Sequence, residues 1–146
     1  MHVHDLLNRK PAALVTVSAD AYLAAAVRLL VTHQIGGLPV VSAAGALVGF
    51  LDERDIVRST HERFYSFERL HVRDVMRPPP TCDLHDSVED VMRRMTLQRQ
   101  RHLVVTEDGR LIGVISLGDL VKARLELVEA EAGVLRDYLA AHRASR

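Results

Sequence analysis

The sequence predicts an α/β (α+β) fold: two tandem β-α-β-β-α repeats packed as a pseudo-twofold pair, followed by a long C-terminal helix. Two internal echoes and one periodicity carry this reading. Residues 35–58, IGGLPVVSAAGALVGFLDERDIVR, and 100–122, QRHLVVTEDGRLIGVISLGDLVK, share one pattern. In each, an apolar run reaches a polar turn closing on Gly45 or Gly109, a second run opens Leu-hydrophobe-Gly, and Asp-hydrophobe-Val ends the unit. Upstream, Val3–Leu7 echoes Val72–Met76, and Tyr22–Val27 echoes Ser87–Met92. The offset slips by one residue only in the turns at Gly45 and Gly109, where length change is tolerated and strand register is not disturbed. A unit this short closes no core alone, so two copies pack as one globule.

The elements follow in order. Leu14–Val17 is a short β-like run, and Ser18 and Asp20 offer helix-capping oxygens. Leu23, Ala26, Val27 and Leu30 fall at 3-4 spacing, which predicts a helix over 22–33 ended by Gly36-Gly37. Residues 38–41 and 46–51 read as strands around the Gly45 turn, and 53–60 as a second helix. In the second half, Asp86 with Glu89 predicts a capping box for a helix over 87–98. Residues 102–106 and 110–116 are strands. After Asp119 a helix runs to about His142, with Val121, Leu125, Val128, Ala132, Leu135 and Leu139 at alternating spacings of four and three. That is a coiled-coil seam, read either as packing on its own globule or as a dimer contact. The units are therefore residues 1–60 and 72–128, joined by 61–71 and followed by a helical tail, 129–146.

Composition excludes several classes. Net charge is zero and Trp is absent, which argues against nucleic-acid binding. No eighteen-residue apolar run predicts a membrane span, and the start MHVHDLLNRK carries no secretory pattern. The lone Cys82 cannot form an internal disulfide, so a cytoplasmic location is expected, and Cys82 itself is read as a small buried residue rather than a redox switch. His2 and His4 have no third ligand at metal-site spacing, so no metal is expected. No nucleophile elbow, phosphate-loop Lys or acid/base pair is present, and no enzyme activity is expected.

The chemistry sits where each unit ends, in Gly49-Phe50-Leu51-Asp52-Glu53-Arg54-Asp55 and Gly113-Val114-Ile115-Ser116-Leu117-Gly118-Asp119. These motifs, preceded by Leu38-Pro39-Val40 in the first unit, resemble a CBS-domain pair, also called a Bateman module. The resemblance covers almost all of residues 1–128, and the second half with its tail is similar to small stand-alone pairs, which carry no catalytic domain. It implies a sensor that binds an adenine nucleotide or adenosine derivative (AMP, ATP, NADH or S-adenosylmethionine) between the repeats as a regulatory ligand, with no other cofactor. It also implies a homodimer that signals to a protein partner. The chemistry is coherent: an Asp opening a helix accepts from ribose hydroxyls, and a helix N-terminus favours phosphate.

Carried over by position, Asp119 holds the ribose and Ser116 the phosphate in a second cleft. Thr81, Leu103 and Val104 border the base there, and Arg101 and His102 reach phosphates. The first cleft is assigned Thr16, Leu38, Pro39 and Asp55. There Asp52 replaces the family's Ser/Thr, setting a carboxylate against any phosphate. Arg54 is the expected compensating cation. This cleft is expected to stay empty or to take a ligand without phosphate. Against the sensing role stands a ligand-free dimerisation scaffold in which Asp119 and Asp52 serve as helix caps.

Overall fold

The computed structural model describes residues 1–10 and 13–145. Each repeat builds a three-stranded sheet of the same sense. In the first, β1 (Val17–Ser18) lies parallel to β2 (Gly37–Val41), which pairs antiparallel with β3 (Leu47–Asp52). In the second, β4 (Thr81–Asp83) lies parallel to β5 (His102–Glu107), which pairs antiparallel with β6 (Arg110–Ser116). The register breaks between Val40 and Val41 and, at the matching point, between Val105 and Thr106.

The helices are α1 (Val3–Arg9), α2 (Leu23–His33), α3 (Glu53–Glu62), α4 (Val72–Val75), α5 (Val88–Gln98) and α6 (Leu117–Ala144), with a 3-10 helix over Phe64–Arg69. Gln34 and Arg99, each with φ of 53°, close α2 and α5 in the left-handed conformation. The chain thus turns two residues before the predicted Gly36-Gly37 stop, and Gly37 instead opens β2. Tyr22, not Ser18 or Asp20, is the N-cap of α2, and it caps without a side-chain bond. In the second repeat Ser87, not Asp86, caps α5, accepting from the Asp90 N–H at 3.2 Å. Asp86 is already held by the Asp83 N–H and Arg94.

Two hydrophobic cores form, and each borrows a helix from the other repeat. Leu23, Leu30, Leu38, Val40 and Leu51 are completed by Leu70 and Val72 from α4 and the residues before it. Val88, Val91, Met95, Leu103, Ile115 and Leu120 are completed by Val3 and Leu6 of α1. The same three backbone bonds seat each visitor. Val3, His4 and Val88 N–H groups donate to Asp86, Leu84 and Met1; Val72, Arg73 and Leu23 donate to Ala21, Ala19 and Leu70. This exchange welds the repeats together, because neither core closes without the other half's chain.

Helix α6 extends 28 residues, about 42 Å at 1.5 Å per residue. Only Leu120 and Ala123 are buried, while the seam residues Val121, Leu125, Val128, Leu135 and Leu139 are all about half exposed. The seam is therefore not covered by the chain's own globule.

Candidate nucleotide-binding clefts

The strand–helix junctions β3–α3 and β6–α6 carry the two motifs, and both are capping boxes. At the second, the Ser116 N–H donates to Asp119 Oδ2 at 2.8 Å and the Asp119 N–H returns to Ser116 Oγ at 3.1 Å. At the first, Asp52 takes the Ser position: its N–H donates to Asp55 Oδ2 and the Asp55 N–H to Asp52 Oδ1, both at 2.9 Å. Capping satisfies two helix N–H groups locally, and it also fixes each carboxylate at a known spot.

The surroundings of the motifs cross over between repeats. Asp119 and Ser116 open into a cavity of about 800 Å³ whose far wall is Leu14, Val15, Ile35, Gly36 and Gly37 of the first repeat. Asp52 and Asp55 meet the second repeat instead, through Arg77 and Gln100. The sequence grouping joined each motif to the strands of its own repeat, and this is corrected. Leu103 lies in the second core and Val104 is wholly buried beside Thr81, its register partner, so none of these three lines the Asp119 cavity. Leu38 likewise belongs to the first core, and Pro39 is buried opposite Phe50. Thr16 is half-buried just before β1, next to the lining residue Val15. The physical reason is the pseudo-twofold exchange seen in the cores, which sets each motif across from the other repeat's strand beginnings.

Close approach at this wall depends on glycine. A Cβ on Gly37 would fall 2.5 Å from Phe50 Cζ, and one on Gly36 would fall 3.1 Å from His102 Cε1. His102 therefore packs into the cavity rim, tilted against Phe50 with ring centroids 5.7 Å apart. Its Nδ1 is buried without a hydrogen-bond partner among the described residues. Burial pushes its pKa down, against the opposing pull of Asp52 and Glu53, so the ring is neutral at pH 7. Arg101 is exposed, and its carbonyl accepts the Leu117 N–H at 2.8 Å.

Each cleft holds an internal cation that sequence reading missed. In the second, Lys10 Nζ donates to Asp119 Oδ2 at 2.7 Å and to the Val114 carbonyl at 2.9 Å. Burial pushes the Asp119 carboxyl up, but the Lys10 and Ser116 hydrogen bonds outweigh it and hold the pKa below the ordinary value. In the first, Arg77 spans both acids: Nη2 to Asp52 Oδ2 at 2.8 Å and Nε to Asp55 Oδ2 at 3.2 Å. Its Nη1 reaches Gln100 Oε1 at 3.2 Å, and its guanidinium lies 5.5 Å from the Phe50 ring centroid. Burial raises Asp52, while its bonds to Asp55 and Arg77 win and lower its pKa; Asp55 moves the other way, raised first by burial and further by Asp52. The expected cation Arg54 is exposed on α3 and pairs with no acid among the described residues. Arg77 takes that part, because its backbone is tied to Phe50 by two reciprocal hydrogen bonds of 2.9 and 3.1 Å.

The family model for the CBS domain matches residues 3–62 and again 72–126. The chain belongs to the CBS-domain family. Its two CBS repeats are 33% identical over 113 residues to the inosine-5'-monophosphate dehydrogenase of Methanocaldococcus jannaschii, a match covering 76% of this chain and 22% of the dehydrogenase. The chain thus spans about a fifth of that relative's length. Among solved structures, a CBS-domain-containing protein of Agrobacterium tumefaciens superposes with a TM-score of 0.79 at 37% identity, over 84% of this chain and 92% of that one. The protein CBSX2 in complex with AMP superposes with a TM-score of 0.72 at 26% identity, over 86% and 97%. No helix among the described residues is long and apolar enough to cross a membrane, and no group of three metal-ligating side chains is found among them.

Proposed function

We propose that this CBS pair is a non-catalytic sensor that binds one adenine nucleotide or adenosine derivative per chain, in the cleft at Asp119. The observation that carries this reading is the cavity itself. Its volume of about 800 Å³ falls in the range of small-molecule sites, roughly 300–1,000 Å³. It sets a fixed carboxylate and a serine hydroxyl opposite an apolar wall of Leu14, Val15 and Ile35. Among the described residues every hydrogen bond to the Asp119 carboxylate falls on Oδ2, so Oδ1 is open to a ribose hydroxyl. The buried, unpaired His102 Nδ1 adds a polar group on the rim. The AMP complex of CBSX2 supports the ligand class.

The first cleft does not take a phosphate in this reading. Arg77 already pairs with both Asp52 and Asp55, so a ligand there would have to displace a multiply bonded guanidinium. That closed cleft also favours the second reading, a scaffold that binds nothing. Association of two chains along the uncovered α6 seam, transmission of ligand occupancy to a protein partner and a cytoplasmic setting belong to the same proposal. Heptad spacing at Val121, Leu125, Val128 and Leu135 suits a second copy of α6.

Thermal unfolding against AMP, ATP, NADH and S-adenosylmethionine separates the readings. A ligand at about 100 times its Kd adds about 2.7 kcal/mol, roughly 5–10 °C for a domain of this size. Sensing predicts a shift of that order, lost in a folded Asp119→Ala variant. A flat response to all four ligands, in protein free of bound nucleotide, supports the scaffold.

A further inference from the structure

The cavity at Asp119 is poor in positive charge. Lys10 is the only fixed cation among the described residues that line it, since His33 and His102 are its other basic side chains. The N-terminus of α6 offers less to an anion than its position implies. The Leu117 N–H is spent on the Arg101 carbonyl, and the Asp119 N–H on Ser116 Oγ. Of the first three N–H groups, only that of Gly118 is uncommitted among the described residues. A phosphate in this cleft therefore depends on Lys10. Yet Lys10 lies on the very carboxylate that a ribose would use, 2.7 Å from Oδ2.

We propose that Lys10 is the phosphate selector of this cleft. Its ammonium is held by Asp119 and the Val114 carbonyl, and a 5'-phosphorylated adenosine draws it off Asp119 onto the phosphate. An unphosphorylated nucleoside must break the Lys10–Asp119 pair and offers the ammonium nothing in return. A nucleotide breaks the same pair and replaces it with a phosphate contact. The cleft thereby selects for phosphorylated ligands with a single side chain. The geometry suits an exchange. Lys10 caps the C-terminus of α1 on a flexible four-carbon stem, and the pair is partly open to water, with side-chain exposures of 34% and 26%. Arg77 in the first cleft is different in kind, because its fork is bonded to three side chains at once.

This inference rests on the Asp119 cleft being the nucleotide site, and the test separates the two. Calorimetric titration of the full chain with AMP and with adenosine gives the ratio of their Kd values. In the wild type AMP binds tighter. In Lys10→Met the preference for AMP over adenosine falls roughly tenfold, the size of one hydrogen bond to a charged group: adenosine tightens a few-fold because its competitor is gone, and AMP, freed of the same competitor, weakens by the remaining few-fold. Lys10→Arg restores the preference for AMP, and Lys10→Gln repeats the Met result should Lys10→Met fold poorly. An AMP-to-adenosine ratio unchanged in the folded neutral variants overturns the role of Lys10 alone. No binding of AMP by the wild type overturns the nucleotide reading and this inference with it.

Discussion

Replacing Arg77 with Met tests the closed first cleft. Met keeps the apolar stem and removes the guanidinium from two acids whose side chains are only 12% and 3% exposed, Asp52 and Asp55. Removing one partner of a buried pair costs about 3–5 kcal/mol. Arg77 itself is 29% exposed, so water screens part of this, and about 2–3 kcal/mol is the appropriate figure at pH 7. At roughly 2–4 °C per kcal/mol, Tm falls by about 4–12 °C.

The pH dependence has a definite sign. Asp52 is held below its ordinary value, so its contribution is full above the carboxylate range and is lost as pH falls through its lowered pKa. Asp55 is raised, so its contribution favours the fold in acid and is lost as pH rises through the raised pKa. Without Arg77 both acids shift upward and take up protons more readily in the folded state. The penalty is therefore full at neutral pH and shrinks as pH approaches about 4. Adding Asp52→Asn, which keeps a capping oxygen, recovers part of the loss. Urea and thermal unfolding of the three proteins between pH 4 and 7 read this directly. A Tm change under about 1 °C at pH 7, or a penalty that grows on acidification, refutes the reasoning.

Other outcomes follow from single contacts. Burial, with help from Asp86, pushes the Cys82 thiol up to about 12, so thiol reagents label it only at the rate of unfolding; rapid labelling of the native protein contradicts that. Gly37→Ala forces a methyl to 2.5 Å from Phe50 and lowers stability by about 1–3 kcal/mol, measured by urea unfolding. Gly133→Ala on α6 meets nothing within 4 Å and raises α6 stability by up to roughly 1 kcal/mol, measured by helix content on heating.

Local signals made most of the fold legible. The signals at the duplicated turn glycines, the 3-4 spacing of Leu23 to Leu30 and the Ser116–Asp119 cap each lie within a few residues, and the hairpins β2–β3 and β5–β6, α2 and α6 stand where those signals put them, whereas β1 is Val17–Ser18 rather than the expected Leu14–Val17. What escaped was long-range. Helices α1 and α4 have seven and four residues, too short for a periodicity of their own. Their exchange shows in the sequence only as the Val3–Leu7 and Val72–Met76 echo ahead of each repeat. The crossing of the clefts follows from that exchange, so grouping residues by repeat misplaced Leu103 and Val104. Lys10 and Arg77 escaped for the same reason, since 109 residues separate Lys10 from Asp119 and 25 separate Arg77 from Asp52. The echo does not reveal them either, since past Leu7 and Met76 it aligns Asn8 with Arg77 and Lys10 with Pro79.

The most direct test of the account is the stoichiometry of AMP binding by calorimetry on the full chain, alongside Asp119→Ala. One AMP per chain, abolished by Asp119→Ala with the fold retained, is the predicted result. No heat with AMP, or binding that survives Asp119→Ala undiminished, contradicts it.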